Sequence, residues 1–105
     1  MKADIVLIIR NSSLRGQEIR SLRRQLKGLV APGRRLVLHM TGVEHVDSKG
    51  AGAILECARK LESAGGSLRL IGLQKKVSAF FEMLQLHRVV EICAAQSELP
   101  GAEAA

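Results

Sequence analysis

The residues able to do chemistry in this chain are its histidines, its cysteines and one serine set beside an aspartate, and their spacing separates them. His39, His45 and His87 fall in a strand, a loop and a late turn, and no two of them have the spacing of a metal site or a catalytic triad. Each is read as a surface or satisfied histidine. Cys57 and Cys93 have no neighbour at metal-ligand spacing and read as free thiols of a reducing compartment. Lys49-Gly50-Ala51-Gly52 holds two glycines but matches neither G-x-x-x-x-G-K-[ST] nor G-x-G-x-x-G. Asp47 has no second carboxylate placed for general acid–base work. These residues define no catalytic constellation, no metal set and no cofactor.

Asp47-Ser48-Lys49-Gly50 is different, because Ser48 sits where a loop enters a helix. A serine there has two readings. Its hydroxyl can cap the orphan N–H groups of the first turn. It can also accept a phosphate, since free amides and the positive end of the macrodipole favour an anion at that point. A phosphate would add about −1.5 to −2 charge beside Asp47, enough to expel a partner packed on the turn without moving the backbone. Residue chemistry alone leaves cap and switch equally open.

The elements that must position this turn follow from hydrophobic spacing. Asp4 to Arg10 is a continuous apolar run of strand length, which predicts a strand covered on both faces. Asn11-Ser12-Ser13 reads as a turn. From Gln17 to Val30, Ile19, Leu22, Leu26 and Leu29 form the stripe of an amphipathic helix, and Arg20, Arg23, Arg24 and Lys27 cluster on one flank of it. Arg35 to Met40 predicts a buried strand. Thr41 to Val46 predicts a loop carrying Val43 and Val46 inward. A helix then runs from the Asp47–Gly50 turn to about Ala64, with Ile54, Leu55, Ala58 and Leu61 on one face, and Gly65-Gly66 closes it. Ser67 to Leu73 is a further strand, Gln74 to Leu84 a helix, Gln85 to Arg88 a turn and Val89 to Ile92 a short strand.

Alternating strands and helices predict a single α/β domain over residues 1–93. Its sheet is small, of about four strands and mostly parallel (mixed), with helices packed on it. Residues 94–105 are small, polar and Pro/Gly-bearing and read as a flexible tail. No segment approaches the ~20 apolar residues of a membrane span, and the short apolar run after Asp4 lacks the form of a signal peptide, so the chain reads as cytoplasmic. With no Trp, no Tyr and only Phe80 and Phe81, it lacks the exposed rings of a base-stacking module. The net charge of +6 is unevenly placed. Residues 1–35 hold nine basic residues against Asp4 and Glu18, whereas the rest is nearly balanced. The basic flank Arg20/Arg23/Arg24/Lys27 reads either as solvated charge or as a docking face for an acidic protein or an anionic membrane surface.

The stretch LVLHMTGVEHVDSKGAGAILECARKLESAGGSLRLIGLQKKVSAFFEMLQLHRVVEI, roughly residues 35–92, resembles the core of a STAS domain. That family includes anti-sigma factor antagonists and the cytoplasmic domains of sulfate transporters. The likeness rests on a buried strand, a loop, D-S-x-G at the head of a helix, a Gly-Gly turn, another strand and a final helix closed by L-x-L-H-R-V-V-E-I. It implies that Ser48 is a phosphate acceptor, Asp47 its preceding acid and Gly50 a small residue that lets a partner approach. Together with Lys49 and Gly52 these would form the partner surface. The implied partners are a GHKL-type serine kinase that doubles as an anti-sigma factor, bound when Ser48 is bare and released when it is phosphorylated, and a phosphatase that resets the switch. Lys49 stands where the family usually has Ser or Thr, which puts a cation beside any phosphoserine. His39 replaces a common strand Asp or Asn, the Gly-x-Leu-Asp turn is not recognisable in residues 10–16, and the initial strand pair is reduced to one strand.

The expected function is therefore that of an anti-sigma factor antagonist, or of an equivalent non-enzymatic antagonist in a partner-switching pathway with another output. The alternative is a structural STAS subunit of a larger signalling or lipid-transport complex, in which Ser48 only caps its helix. A small-ligand or nucleotide module using Gly50 to Gly52 ranks next, and direct nucleic-acid binding by the basic helix ranks last.

Overall fold

The computed structural model describes residues 4–94. In chain order its elements are β1 (Asp4–Ile8), β2 (Ser13–Leu14), α1 (Gln17–Leu29), β3 (Arg35–His39), β4 (His45–Val46), α2 (Ser48–Ser63), β5 (Ser67–Leu73), α3 (Lys75–Met83), a 3₁₀ turn (Leu86–Arg88) and β6 (Glu91–Ala94). The main sheet runs β1-β3-β5-β6, and each of these pairings is parallel. The sheet, expected to be mostly parallel, is parallel throughout among the described residues. Residues 95–105, expected as a tail, lie outside them, whereas Ala94 ends β6.

Alternation along the strands decides where the core sits. Leu36 and Leu38 of β3 and Leu68 and Leu70 of β5 point to one face and are buried. They share a single cluster with Leu22 and Leu26 of α1, Ile54 and Leu61 of α2, and Val77 and Phe81 of α3. Burying each of these large side chains stabilises the fold by roughly 1.5–3 kcal/mol relative to leaving it exposed. The three helices therefore serve one face. On the other, Val37 and Ile71 are half-buried, and exposed Arg69 pairs with Glu91 at 3.0 Å.

This arrangement corrects the reading of β1 as covered on both faces. Val6 is 59% and Ile8 52% exposed. The strand is at the sheet's edge, and these two side chains point to the face that carries no helix. The last strand also starts later than expected, at Glu91 rather than Val89, because the 3₁₀ turn continues the chain past Arg88 and leaves Val89 exposed and Val90 buried.

A second correction bears on the site. Residues read as a turn and a loop contain a small parallel sheet, with Ser13 opposite His45 and Leu14 opposite Val46. Two-residue strands have no periodicity to detect. What holds them is Leu14, fully buried, together with two N–H groups, of Glu44 and His45, that donate to Ser12 O at 2.7 and 3.1 Å.

Candidate functional site

The turn before α2 is clamped from both sides. The Gln74 side-chain amide donates to Thr41 O at 2.8 Å, Val43 is fully buried, and β4 delivers the chain to Asp47. Asp47 has extended backbone angles and is the N-cap of α2, where Gly50 N–H donates to its Oδ1 at 2.9 Å. Ser48, read as the possible cap, is instead the first helical residue. It is exposed, and its hydroxyl has no hydrogen-bond partner among the described residues. The side chain one residue earlier has taken the capping role.

This assignment sets an expectation for stability. Asp47→Ala should destabilise the domain by about 1 kcal/mol, the usual loss for an N-cap, while Ser48→Ala should stay within about 0.5 kcal/mol of the parent, as surface changes do. Urea unfolding of the two variants measures both. A larger loss in Ser48→Ala would return the cap to the serine.

Gly50 and Gly52, both expected on a partner surface, are placed differently. Gly50 is buried and faces inward, where an added Cβ would lie 2.8 Å from Leu14 O and 3.0 Å from Val46 Cγ1. Its smallness lets α2 close onto β2 and β4. Gly52 is half-buried, and a Cβ there meets nothing within 4 Å. It lies one turn above Ser48, on a ridge that continues through Leu55, half-buried and packed against the core, to exposed Arg59.

Part of the basic flank predicted on α1 faces this same helix. Arg23 donates to Glu56 Oε1 at 2.7 Å, and Lys60 of α2 lies 3.5 Å from the same carboxylate. Arg20, Arg24 and Lys27 are exposed and form no ion pair among the described residues. An open groove of about 540 Å³ separates the starts of the two helices, lined by Gly16, Gln17, Ile19, Arg20 and Arg23 from one side and by Asp47 and Lys49 from the other. A second, of about 300 Å³, lies beyond the turn between His45, Val46 and Asp47 and the α3 residues Lys76, Val77 and Phe80. Sequence spacing missed Leu14 and Phe80 as site-forming residues. Only the isolated apolar character of Leu14 among polar neighbours hinted at its role.

The groups considered first remain apart. His39 Nδ1 is 3.2 Å from the Thr41 hydroxyl, His45 borders the second groove, and exposed His87 sits in the 3₁₀ turn. Among the described residues no group of His, Cys, Asp and Glu is placed to hold a metal ion. Cys57 is buried in α2 facing α1, and desolvation pushes its thiol up to about 11, keeping it protonated near neutrality and unsuited to nucleophilic attack. No described helix is long and apolar enough to cross a membrane.

Comparison with known proteins gives this geometry a context. A family model described as STAS domain matches residues 2–99. No curated protein sequence matches the chain. Among solved structures it is similar to an anti-sigma-factor antagonist (STAS) domain protein from Planctomyces limnophilus, with a TM-score of 0.77 at 15% identity, over 95% of this chain and 90% of that one. A proposed anti-sigma factor antagonist from Thermotoga maritima gives 0.71 at 21% identity, over 91% and 85%. A sulfate transporter family protein from Wolinella succinogenes gives 0.70 at 17%, over 96% and 85%.

Proposed function

The chain belongs to the STAS domain family, and on that premise we propose that it is a cytoplasmic anti-sigma factor antagonist, or the equivalent antagonist in a partner-switching pathway of another output. Unphosphorylated, it binds a GHKL-type serine kinase that acts as the anti-sigma factor, using Asp47, Ser48 and Lys49 and the ridge that runs up α2 through Gly52. The kinase moves the γ-phosphoryl of ATP to Ser48 Oγ. ADP leaves, the hydroxyl proton passes to a base of the kinase, and the phosphorylated antagonist dissociates until a phosphatase removes the phosphate. The basic α1 face meets this surface at Arg20 and, with exposed Arg24 and Lys27, suits an acidic partner.

One observation carries the reading. The Ser48 hydroxyl is exposed and unengaged at the first position of α2, because Asp47 caps the helix in its place. The hydroxyl is open to a kinase, and a phosphate there would meet the positive end of the helix. Incubation with the serine kinase of the same pathway and labelled ATP should place the phosphate on Ser48 and leave Ser48→Ala unlabelled. A phosphate mapped to another residue would overturn the proposal. A stoichiometric complex indifferent to ATP would instead support the structural-subunit reading.

A further inference from the structure

We propose that a phosphate on Ser48 is held across the groove between α1 and α2 by Lys49 and Arg20, so that the phosphorylated form is latched in place. The inference rests on Ser48 being the acceptor, and it adds what the surrounding residues do with the phosphate once it is there. Ser48 stands in the chain between two lining residues of that groove, Asp47 and Lys49. Facing them from α1 are Arg20 and Arg23.

The available charges differ in how far they are committed. Asp47 is half-buried and its Oδ1 accepts from Gly50 N–H, while Arg23 is bound to Glu56 at 2.7 Å. Lys49 and Arg20 are exposed, with no ion pair among the described residues. A phosphoserine brings about −1.5 to −2 charge and three strong acceptor oxygens, and a guanidinium can meet two of them at once. The other charged groups round the turn, Arg15, Glu44, His45 and Lys76, line the groove on its far side. One oxygen of the neighbouring acid is thus committed to Gly50 N–H, while one cation on each wall of the groove, Lys49 and Arg20, is available. Cations close to a phosphate favour its dianion, so its second ionisation should fall below the ordinary value of about 6.

The test places phosphoserine at position 48 genetically, so no kinase is needed and the result is independent of whether one acts on Ser48. Phosphorus NMR titration reads the phosphate directly. In the folded protein the midpoint should lie at least about half a unit below that of the same protein in urea. Lys49→Thr and Arg20→Gln should each raise it, and the double variant should return it to the urea value. Far-ultraviolet circular dichroism checks that the variants are folded. Equal midpoints in the folded parent and in urea would overturn the latch. So would a response to Lys49→Thr with none to Arg20→Gln, which would reduce it to an effect of the adjacent residue.

Discussion

Replacing Gly66 with alanine should destabilise the domain by about 3 kcal/mol, at the upper end of what overpacking costs, and lower its thermal midpoint by roughly 12 °C or more. Gly66 follows α2 where the chain turns into β5. Its N–H donates to Leu61 O at 2.8 Å, while that of Gly65, in the left-handed region at φ 82°, donates to Glu62 O at 3.0 Å. Together these bonds form the motif that commonly ends a helix. The turn brings Gly66 against β3, and an alanine Cβ would lie 2.0 Å from Arg34 O and 2.9 Å from its N. Both atoms are backbone, and Arg34 O also accepts from Ser67 N–H at the start of β5. No side chain can swing aside, so β3 and β5 must part. Gly28→Ala provides the internal comparison. Gly28 lies within α1 and a Cβ there meets nothing within 4 Å, so the same change should stabilise by about 0.5–1 kcal/mol. Thermal melts that failed to separate the two variants would contradict this close approach.

That contrast also shows which features the sequence made legible. The Gly65-Gly66 pair, the apolar stripe of α1 and the buried runs of β3 and β5 carry strong local signals, and the helices and strands form near those positions. The opposite roles of Gly50 and Gly52 had no such signal. Both are glycines of one helix turn, and only the approach of Leu14 and Val46 shows that one packs inward. β1 misled for a related reason. An edge strand with one open face can be as apolar as a buried one, and Val6 and Ile8 carry no mark of their exposure. At the turn itself, local chemistry allowed Asp47 or Ser48 to cap the helix. The choice depends on the backbone at Asp47, which is extended and fixed by β4 pairing with β2, a contact between residues far apart in the chain. Likewise, the basic flank of α1 was legible as a cluster, but its seat against α2 follows only from helix packing.

On the proposed function, phosphorylation of Ser48 should weaken binding of the unphosphorylated antagonist's partner by about 100-fold or more. Like charge or an unpaired charge forced into an interface costs several kcal/mol, and each 1.4 kcal/mol is a factor of ten. The phosphate would stand at the foot of the ridge formed by Ser48, Gly52, Leu55 and Arg59, where half-buried Leu55 offers apolar area and Gly52 leaves room for a close approach. Ser48→Ala should bind as the parent does. Ser48→Asp should fall between the two, because it carries one charge on a shorter arm. Gly52→Leu separates occupancy from charge: a Cβ there meets nothing within 4 Å, so it should remain folded yet bind poorly with Ser48 bare. Titration of the purified partner by calorimetry against the five proteins gives the ranking. Loss of affinity in Gly52→Leu with none on phosphorylation would keep the docking ridge and eliminate the switch. Equal affinities for all five would place the partner on another face.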